Sequence, residues 1–269
     1  MFVLLLAVLL GSKVSLALSP SVAELSNNLD SVVQIRNYAP DHTGNDAPAF
    51  CVGTLLSPKT LITAAHCVKD LYFHPEMTMQ IDLGHYRYVN RPNGERVRVG
   101  YATSKSIQTT VNIRFLPELM RKLASRGKRT KLTPNDDVAV VYLNQALPVG
   151  DDFIFASVLP TTLHAAFIKT PLNYVIKVTT INFIEESSTD VKRSASLNNL
   201  KTTGQHLVSR SVSRVAPGDS GAPLFVMRNN QAYLAAVVKG RGETVFSNWD
   251  VYTLVHKLVC SEERLPGCY

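Results

Sequence analysis

The chain has 269 residues, of which 45% are hydrophobic, with 14 glycines, 14 prolines and a formal net charge of +7. This length and composition are typical of a globular protein with one large or two small domains, and they exclude a disordered chain. A basic surface can meet nucleic acid or an anionic membrane, but no nucleic-acid-binding motif accompanies the charge, so we assign it to solubility and substrate steering.

The first 17 residues are predicted to be a signal peptide. Residues 2–10 (FVLLLAVLL) form an apolar run that is too short to span a bilayer. Ser15-Leu16-Ala17 then places small residues at the positions that a signal peptidase reads. A buried strand or a membrane anchor is the alternative interpretation of this run. We expect the mature chain to be secreted, with no stable membrane insertion once the signal peptide is removed.

Beyond residue 17, short apolar segments alternate with turn signals. Strands are predicted over residues 31–35, 50–56, 60–64, 77–83, 95–101, 108–115, 174–183, 194–200 and 232–238. Residues rich in Gly, Pro and Asn separate them, and residues 185–190 are predicted to be a polar hairpin tip. Many short strands with regular turn signals indicate an all-β barrel or sandwich rather than an α/β fold.

Residues 116–131 break this pattern because they carry a high density of positive charge. The basic residues are Arg121, Lys122, Arg126, Lys128, Arg129 and Lys131. The simpler interpretation is a solvated surface loop, and the more specific one is an exosite for substrate. Nucleic-acid binding through this segment would rest on charge alone, so we expect no nucleic-acid partner.

Three short motifs, far apart in the sequence, contain the residue types of nucleophilic catalysis. Residues 63–67 (TAAHC) offer a histidine base, residues 136–143 (DDVAVVYL) place two acids before an apolar strand, and residues 217–223 (PGDSGAP) hold a serine between glycines. Glycines let the backbone turn tightly, and backbone N–H groups beside a serine can stabilise an oxyanion. The last motif alone is also a good tight turn. The order His, Asp, Ser matches one form of the catalytic triad.

Together these motifs resemble those of the chymotrypsin-like (trypsin-fold) serine proteases. The resemblance rests on Thr-Ala-Ala-His-Cys and Gly-Asp-Ser-Gly-x-Pro, with weaker similarity at residues 50–56, 83–85 and 251–253. It implies an all-β fold of two antiparallel six-stranded β-barrels, with the active site in the cleft between them. It also implies a short C-terminal helix, for which the apolar spacing of residues 251–259 is suitable.

The resemblance implies a division of the chain and a role for each motif. An N-terminal barrel over residues 18–155 would carry His66 and Asp137, and a C-terminal barrel over residues 156–269 would carry Ser220. Ser220 would be the nucleophile, His66 the general acid–base, and Asp137 the acid that orients the imidazole. The expected activity is that of a secreted serine endopeptidase that acts on protein or peptide substrates through an acyl-enzyme. A protein protease inhibitor is a further expected partner, and no metal or cofactor is expected.

Two neighbours of the triad follow from the same comparison. In the family the catalytic acid directly precedes the Val-Ala-Val run, so Asp136 is expected to be an exposed turn residue rather than the catalytic acid. The backbone N–H groups of Gly218 and Ser220 would form the oxyanion hole. Asp219 is expected to be buried and to need a cationic partner, because an unpaired buried carboxylate is costly.

The chain departs from the family pattern at activation and in the specificity pocket. No Lys or Arg occurs over residues 18–35, so the usual tryptic activation cut has no site. The pocket floor falls on Arg214 and Asp250, which we expect to pair, with Gly240 beside the substrate backbone. A catalytically idle homologue that acts as a binding or regulatory module is therefore the alternative. It would explain these departures but not three intact triad motifs.

The four cysteines allow three pairings. The resemblance implies a disulfide between Cys51 and Cys67, and proximity in the sequence favours a second between Cys260 and Cys268. Four free thiols are the alternative, and they would require a reducing compartment.

Overall fold

The computed structural model describes residues 24–25, 30–38, 50–83, 86–90, 96–101, 105–150, 153–184, 189–204, 206–209, 215, 218–229, 231–241, 249–265 and 268. The predicted signal peptide, residues 185–188 of the hairpin tip predicted at residues 185–190, and Arg214 lie outside these residues.

The first half of the chain forms a seven-stranded antiparallel sheet. Ten strands lie in the described part of this half, seven of them in the sheet: β1 (Glu24–Leu25), β2 (Val32–Tyr38), β3 (Cys51–Ser57), β4 (Thr60–Thr63), β5 (Thr78–Leu83), β6 (Tyr86–Asn90), β7 (Arg96–Tyr101), β8 (Lys105–Thr109), β9 (Val111–Phe115) and β10 (Ala139–Leu143). The sheet order is β8-β5-β2-β3-β4-β10-β9, and β6 pairs with β7 in a separate ribbon.

The second half forms a nine-stranded sheet that also takes up β1. Its own strands are β11 (Ser157–Val158), β12 (Val175–Ile184), β13 (Thr189–Ser196), β14 (Leu200–Thr203), β15 (His206–Ser209), β16 (Pro223–Arg228), β17 (Gln231–Arg241) and β18 (Asp250–Leu254). The order is β1-β13-β12-β16-β17-β18-β15-β14, and β11 adds to β17 in parallel. The N-terminal segment therefore lies on the sheet of the second half.

Both sheets curl into half-barrels, which confirms the predicted all-β fold with two antiparallel barrels. The sheets contain seven and nine strands rather than six each, and the two-residue strands β1 and β11 account for part of the difference. None of the helices in the described part of the chain is long and apolar enough to cross a membrane.

The apolar core is divided between the two barrels, and β10 contributes to both parts. Val140 packs with the apolar residues of the second barrel, whereas its neighbours Ala139 and Val141 pack inside the first. Successive side chains of a strand point to opposite faces, so one strand can line its own core and the inter-barrel contact at once. This explains the unbroken apolar run of β10, since a strand that is buried on both faces needs no polar positions.

The helices lie between and after the strands. They are α1 (Ala65–Phe73), α2 (Pro117–Arg126) and α3 (Thr161–Lys169), with 3₁₀ turns at Gly127–Arg129 and Pro171–Asn173 and a π-helical segment at Lys257–Glu262.

The interpretation of residues 116–131 as a surface loop is wrong, because α2 occupies most of this segment. Pro117 lies in the first turn of the helix, where its missing N–H has no cost. Leu119 and Leu123, four residues apart, are buried on one face, while Arg121 and Arg126 remain exposed. Leu119 and Leu123 have helical spacing in the sequence, but the dense positive charge around them favours the prediction of a loop.

The predicted C-terminal helix is present, but it begins later than residue 251. Residues 250–254 instead form β18, which pairs with β15 on one side and with β17 on the other. All five residues of this strand are buried. Val251, Tyr252 and Leu254 place apolar side chains on both faces of this central strand, and their spacing alone does not distinguish it from a buried helix.

Candidate active site

His66 lies in the first turn of α1, directly after β4, and its side chain contacts a buried carboxylate. The imidazole Nδ1 is 2.8 Å from Oδ2 of Asp137. The side chain of His66 is 36% exposed, whereas that of Asp137 is 1% exposed. An ionised carboxylate can only accept hydrogen bonds, so Nδ1 carries the proton and Nε2 keeps a lone pair. The contact therefore selects the tautomer in which Nε2 can act as a base.

Asp137 also caps the helix that carries His66. The N-cap residue Ala64 has no side-chain acceptor, and Oδ1 of Asp137 accepts the backbone N–H of His66 at 2.9 Å. This N–H is one of the first-turn donors that have no partner within a helix. The positive end of the helix dipole further stabilises the carboxylate. Because Ala139 of β10 is paired with Thr63 of β4, the chain just before β10 passes beside the start of α1.

Asp136 is not the exposed turn residue that we expected, because only 3% of it is exposed. Its Oδ2 forms an ion pair with Lys122 of α2, and its Oδ1 accepts the backbone N–H of Thr133 at 2.6 Å. The two adjacent acids therefore bind different elements, Asp137 the base and Asp136 the basic helix. Sequence reasoning missed this role because the ion-pair partner lies 14 residues away, in a segment that was interpreted as a loop.

The loop that carries the two acids also contacts the second barrel. The hydroxyl of Thr253, on β18, donates to the carbonyl oxygen of Pro134 at 2.9 Å. The ring Nδ1 of His206, on β15, lies 2.8 Å from the side-chain oxygen of Asn135. The position of Asp137 therefore depends on both barrels.

The turn that carries Ser220 is hydrogen-bonded to both sheets. The carbonyl oxygen of Ser220 accepts the backbone N–H of Val52 on β3 at 2.7 Å. The N–H of Gly221 donates to the carbonyl oxygen of Val238 on β17 at 2.8 Å. The serine thus lies where the two barrels meet.

Gly221 is required by this contact. A Cβ atom at this position would lie 2.2 Å from the carbonyl oxygen of Val52, 2.2 Å from the hydroxyl of Thr63 and 3.1 Å from the backbone nitrogen of Ala64. Its φ of +82° is also one that side chains rarely adopt. The glycine brings the turn against the end of β4, three residues before His66. The structure therefore brings the elements that carry all three predicted triad residues to one junction.

Gly218 and Asp219, the two residues before the serine, form the first part of its turn. Gly218 has a φ of +95°. Within the residues described above, neither the N–H of Gly218 nor that of Ser220 donates to an acceptor. Asp219 lies between them and is buried, as expected, and its Oδ1 accepts a hydrogen bond from the hydroxyl of Thr180 on β12. The cationic partner expected for Asp219 stays a prediction, because residues 1–23 lie outside the described chain.

Asp250 is a second buried acid, near the turn of the serine. Its Oδ1 accepts the backbone N–H of Val215 at 3.3 Å. Burial, and then the charges of Asp250 and Asp219, raise the pKa of Tyr252 well above its usual range, so this fully buried phenol keeps its proton. The sequence placed Tyr252 in a segment similar to the family, residues 251–253, but did not predict its burial beside the two acids.

The predicted pocket floor is only partly described. Asp250 is buried, and Gly240 has a φ of +137° and is paired with Val251 across β17 and β18. Arg214 lies outside the described residues. Its pairing with Asp250 therefore stays a prediction, as does the role of Gly240 beside a substrate.

Both predicted disulfides are confirmed. Cys51 is bonded to Cys67 with a Cα–Cα distance of 6.2 Å, and Cys260 is bonded to Cys268 with a distance of 5.2 Å. The first joins the start of β3 to α1, one residue after His66. Cys51, His66 and Cys67 are also the only group with metal-ligand proximity among the described residues. Because a metal binds the thiolate form, these sulfurs offer no ligand while the disulfide is intact.

Two β-barrels, with a His–Asp pair and a Gly-Asp-Ser-Gly turn at their junction, define the architecture of a chymotrypsin-like serine protease. The chain belongs to the trypsin family, since residues 32–259 match the family model described as Trypsin. Its fold is similar to the crystal structure of an inactivated protease paralogue from the scabies mite. The TM-score is 0.56 and the identity 17%, and the match covers 87% of this chain and 93% of that chain. At this identity the similarity shows the fold alone. No curated protein matches the chain.

Proposed function

We propose that this chain is a serine endopeptidase that hydrolyses peptide bonds through an acyl-enzyme on Ser220. The observation that carries the proposal is the contact between His66 and the buried carboxylate of Asp137, at 2.8 Å, beside the turn of Ser220. A buried carboxylate that both orients an imidazole and caps its helix selects the tautomer that a general base needs.

Each group then has one task in the reaction. As Oγ of Ser220 attacks the peptide carbonyl carbon, Nε2 of His66 takes the hydroxyl proton, and Asp137 stabilises the imidazolium. The N–H groups of Gly218 and Ser220 would hold the oxyanion of the tetrahedral intermediate. His66 next returns the proton to the leaving amine, which breaks the peptide bond and leaves the acyl-enzyme. A water molecule, activated by His66 in the same way, releases the acid and regenerates Ser220.

The partners and the location follow from this activity. The substrates are proteins or peptides, and a protein inhibitor would bind by presenting a substrate-like loop to the same cleft. We also propose that the chain is secreted after removal of residues 1–17. Its two barrels would comprise residues 18–155 and 156–269, except that β1 (Glu24–Leu25) pairs with β13 of the second barrel. The two disulfides support secretion, because such bonds persist in oxidising compartments. N-terminal sequencing of the secreted protein tests the cleavage site, which we expect between Ala17 and Leu18.

The alternative is a catalytically idle homologue that acts as a binding or regulatory module. The observation that favours it is the similarity in fold to a protease paralogue that is described as inactivated. Against it stands the His66–Asp137 contact, which an idle module would not need.

A fluorophosphonate probe, together with hydrolysis of labelled casein, distinguishes the two functions. We expect the wild type to be labelled at Ser220 and to hydrolyse casein. Ser220→Ala and His66→Ala should each lose several orders of magnitude in rate, since triad members act as a unit. His74→Ala is the matched control, because His74 also contacts a carboxylate, that of Glu76 at 3.0 Å, but far from the serine. It should keep the wild-type rate.

Two results would contradict the proposal. A folded wild-type protein that is neither labelled nor active would favour the idle homologue. Casein hydrolysis by Ser220→Ala at the wild-type rate would show that the nucleophile is a different residue.

A further inference from the structure

Asp219, the residue before the proposed nucleophile, is held by a side chain from inside the second barrel. Its Oδ1 accepts a hydrogen bond from the hydroxyl of Thr180, and each of the two residues is 1% exposed. A carboxylate removed from water is costly unless donors replace the lost solvent. A hydrogen bond to an ionised acceptor is also stronger than one between neutral groups. The Thr180 hydroxyl is therefore one donor that offsets the burial of this carboxylate.

Thr180 reaches the turn because β12 extends beyond the strand that follows the serine. The ladder between β12 and β16 ends where Val178 is paired with Leu224. Two residues further along β12, Thr180 lies beside the turn that precedes β16. Its neighbour Thr179, also fully buried, places its hydroxyl on the other face of the strand, 2.7 Å from the hydroxyl of Ser194 on β13. Only the second of the two threonines contacts the turn.

The orientation of Asp219 bears directly on the N–H of Ser220, which belongs to the peptide group between these two residues. The N–H of Gly218 belongs to the peptide group before Gly218, so one further peptide group separates it from Asp219. The turn is closed by the N–H of Ala222, which donates to the carbonyl oxygen of Asp219 at 2.9 Å. A side chain that anchors Asp219 therefore limits the rotation of the peptide group that carries the N–H of Ser220, and it acts on the N–H of Gly218 through the backbone of Gly218.

We infer that Thr180 is a positioning residue for the oxyanion hole, which its hydroxyl keeps formed by anchoring the carboxylate of Asp219. This inference rests on the proposed protease function. The anchor is a residue of the barrel itself, so its contact with Asp219 forms as the barrel folds. Residues 18–35 contain no Lys or Arg, and this contact does not require a tryptic cut in that segment.

Three variants test the inference, with a fluorophosphonate as the probe and casein as the substrate. Thr180→Val keeps the shape of the side chain but removes its donor, and we expect both rates to fall about 10- to 100-fold, the effect of one hydrogen bond to a charged group. Thr180→Ser retains the hydroxyl and should keep most of the rate. Thr179→Val is the matched control, since it removes a buried hydroxyl from the same strand without touching the turn, and it should match the wild type.

A second measurement separates positioning from structural support. With the best peptide from a substrate library, the loss in Thr180→Val should fall on kcat and leave KM unchanged, because the oxyanion forms only in the transition state. Thermal unfolding shows which variants are folded at the assay temperature. If Thr180→Val does not fold, Thr180→Ala, which also lacks the donor, takes its place.

Three outcomes overturn the inference. One is a wild-type rate in Thr180→Val, and another is an equal loss in Thr179→Val. The third is an activity that depends on a free amine at Leu18, lost when residues are added before it, but not on the Thr180 hydroxyl. Each of these leaves the protease function intact. If the wild type itself is neither labelled nor active, the proposed function fails first and the role of Thr180 fails with it.

Discussion

Replacement of Gly221 by alanine should weaken the contact between the two barrels beside Ser220. The added methyl group would lie 2.2 Å from both the carbonyl oxygen of Val52 and the hydroxyl of Thr63. No heavy atoms approach this closely without a bond, so β3 and the turn must move apart. Gly218→Ala is the matched control, because Gly218 also has a positive φ, of +95°, but no atom of the described part of the chain lies within 4 Å of its Cβ position.

The magnitude follows from the contacts that would be lost. A side chain in the left-handed region costs about 1–2 kcal/mol, and both variants carry this cost. Movement of Val52 in Gly221→Ala would in addition break its N–H bond to Ser220 and the bond from the Thr63 hydroxyl, both 2.7 Å long. Each such hydrogen bond contributes about 1 kcal/mol to stability. We therefore expect a loss of about 3–4 kcal/mol for Gly221→Ala, against about 1–2 kcal/mol for the control.

Urea unfolding with both disulfides oxidised measures this difference. The protein contains one tryptophan, Trp249, whose fluorescence reports on the second barrel. Small domains have a free energy of unfolding of about 5–15 kcal/mol, so the two variants should have clearly separate midpoints. An equal loss of stability in Gly221→Ala and Gly218→Ala would refute the close approach of the turn to β3.

The double variant Cys51→Ala/Cys67→Ala, which opens a loop with a sequence separation of 16, should lose about 3 kcal/mol of unfolding free energy by urea titration. Asp136→Ala should lower the free energy of unfolding by about 2 kcal/mol, because it leaves the N–H of Thr133 without its acceptor; a loss below about 0.5 kcal/mol would instead fit an exposed residue. Burial, and then the charge of His256, lower the pKa of His164 to about 4. The unfolded chain binds this proton near pH 6.5 and the folded chain does not, so stability should fall between pH 6.5 and 4. His164→Phe, which keeps the ring stacking, should reduce the fall in an acid titration and leave stability at pH 8 unchanged.

The candidate site was largely predictable because its residues lie in short motifs with local geometry. The Gly-Asp-Ser-Gly and Ala-His-Cys motifs can be recognised from a few consecutive residues, without the tertiary structure. Asp137 could be chosen over Asp136 from the apolar run that follows it. The true environment of Asp136 could not be predicted, since its ion pair with Lys122 depends on α2. The contact of Thr180 with Asp219 joins residues 39 positions apart, and neither residue indicates the other.

The sequence by itself determined the class of fold and the three motifs, because alternation, turn residues and motif spacing are local properties of the chain. The Cys51–Cys67 disulfide was implied by the family resemblance and the Cys260–Cys268 disulfide was favoured by proximity in the sequence, and the structure confirmed both. The tertiary structure decided where the motifs meet, which acid caps α1, and that β1 lies on the second barrel. It also decided that residues 250–254 form a strand, although the spacing of Val251, Tyr252 and Leu254 suits a buried helix as well. These outcomes depend on burial and on strand pairing between segments that are distant in sequence. Such contacts stabilise a segment only in the folded barrels, so the local sequence does not indicate them.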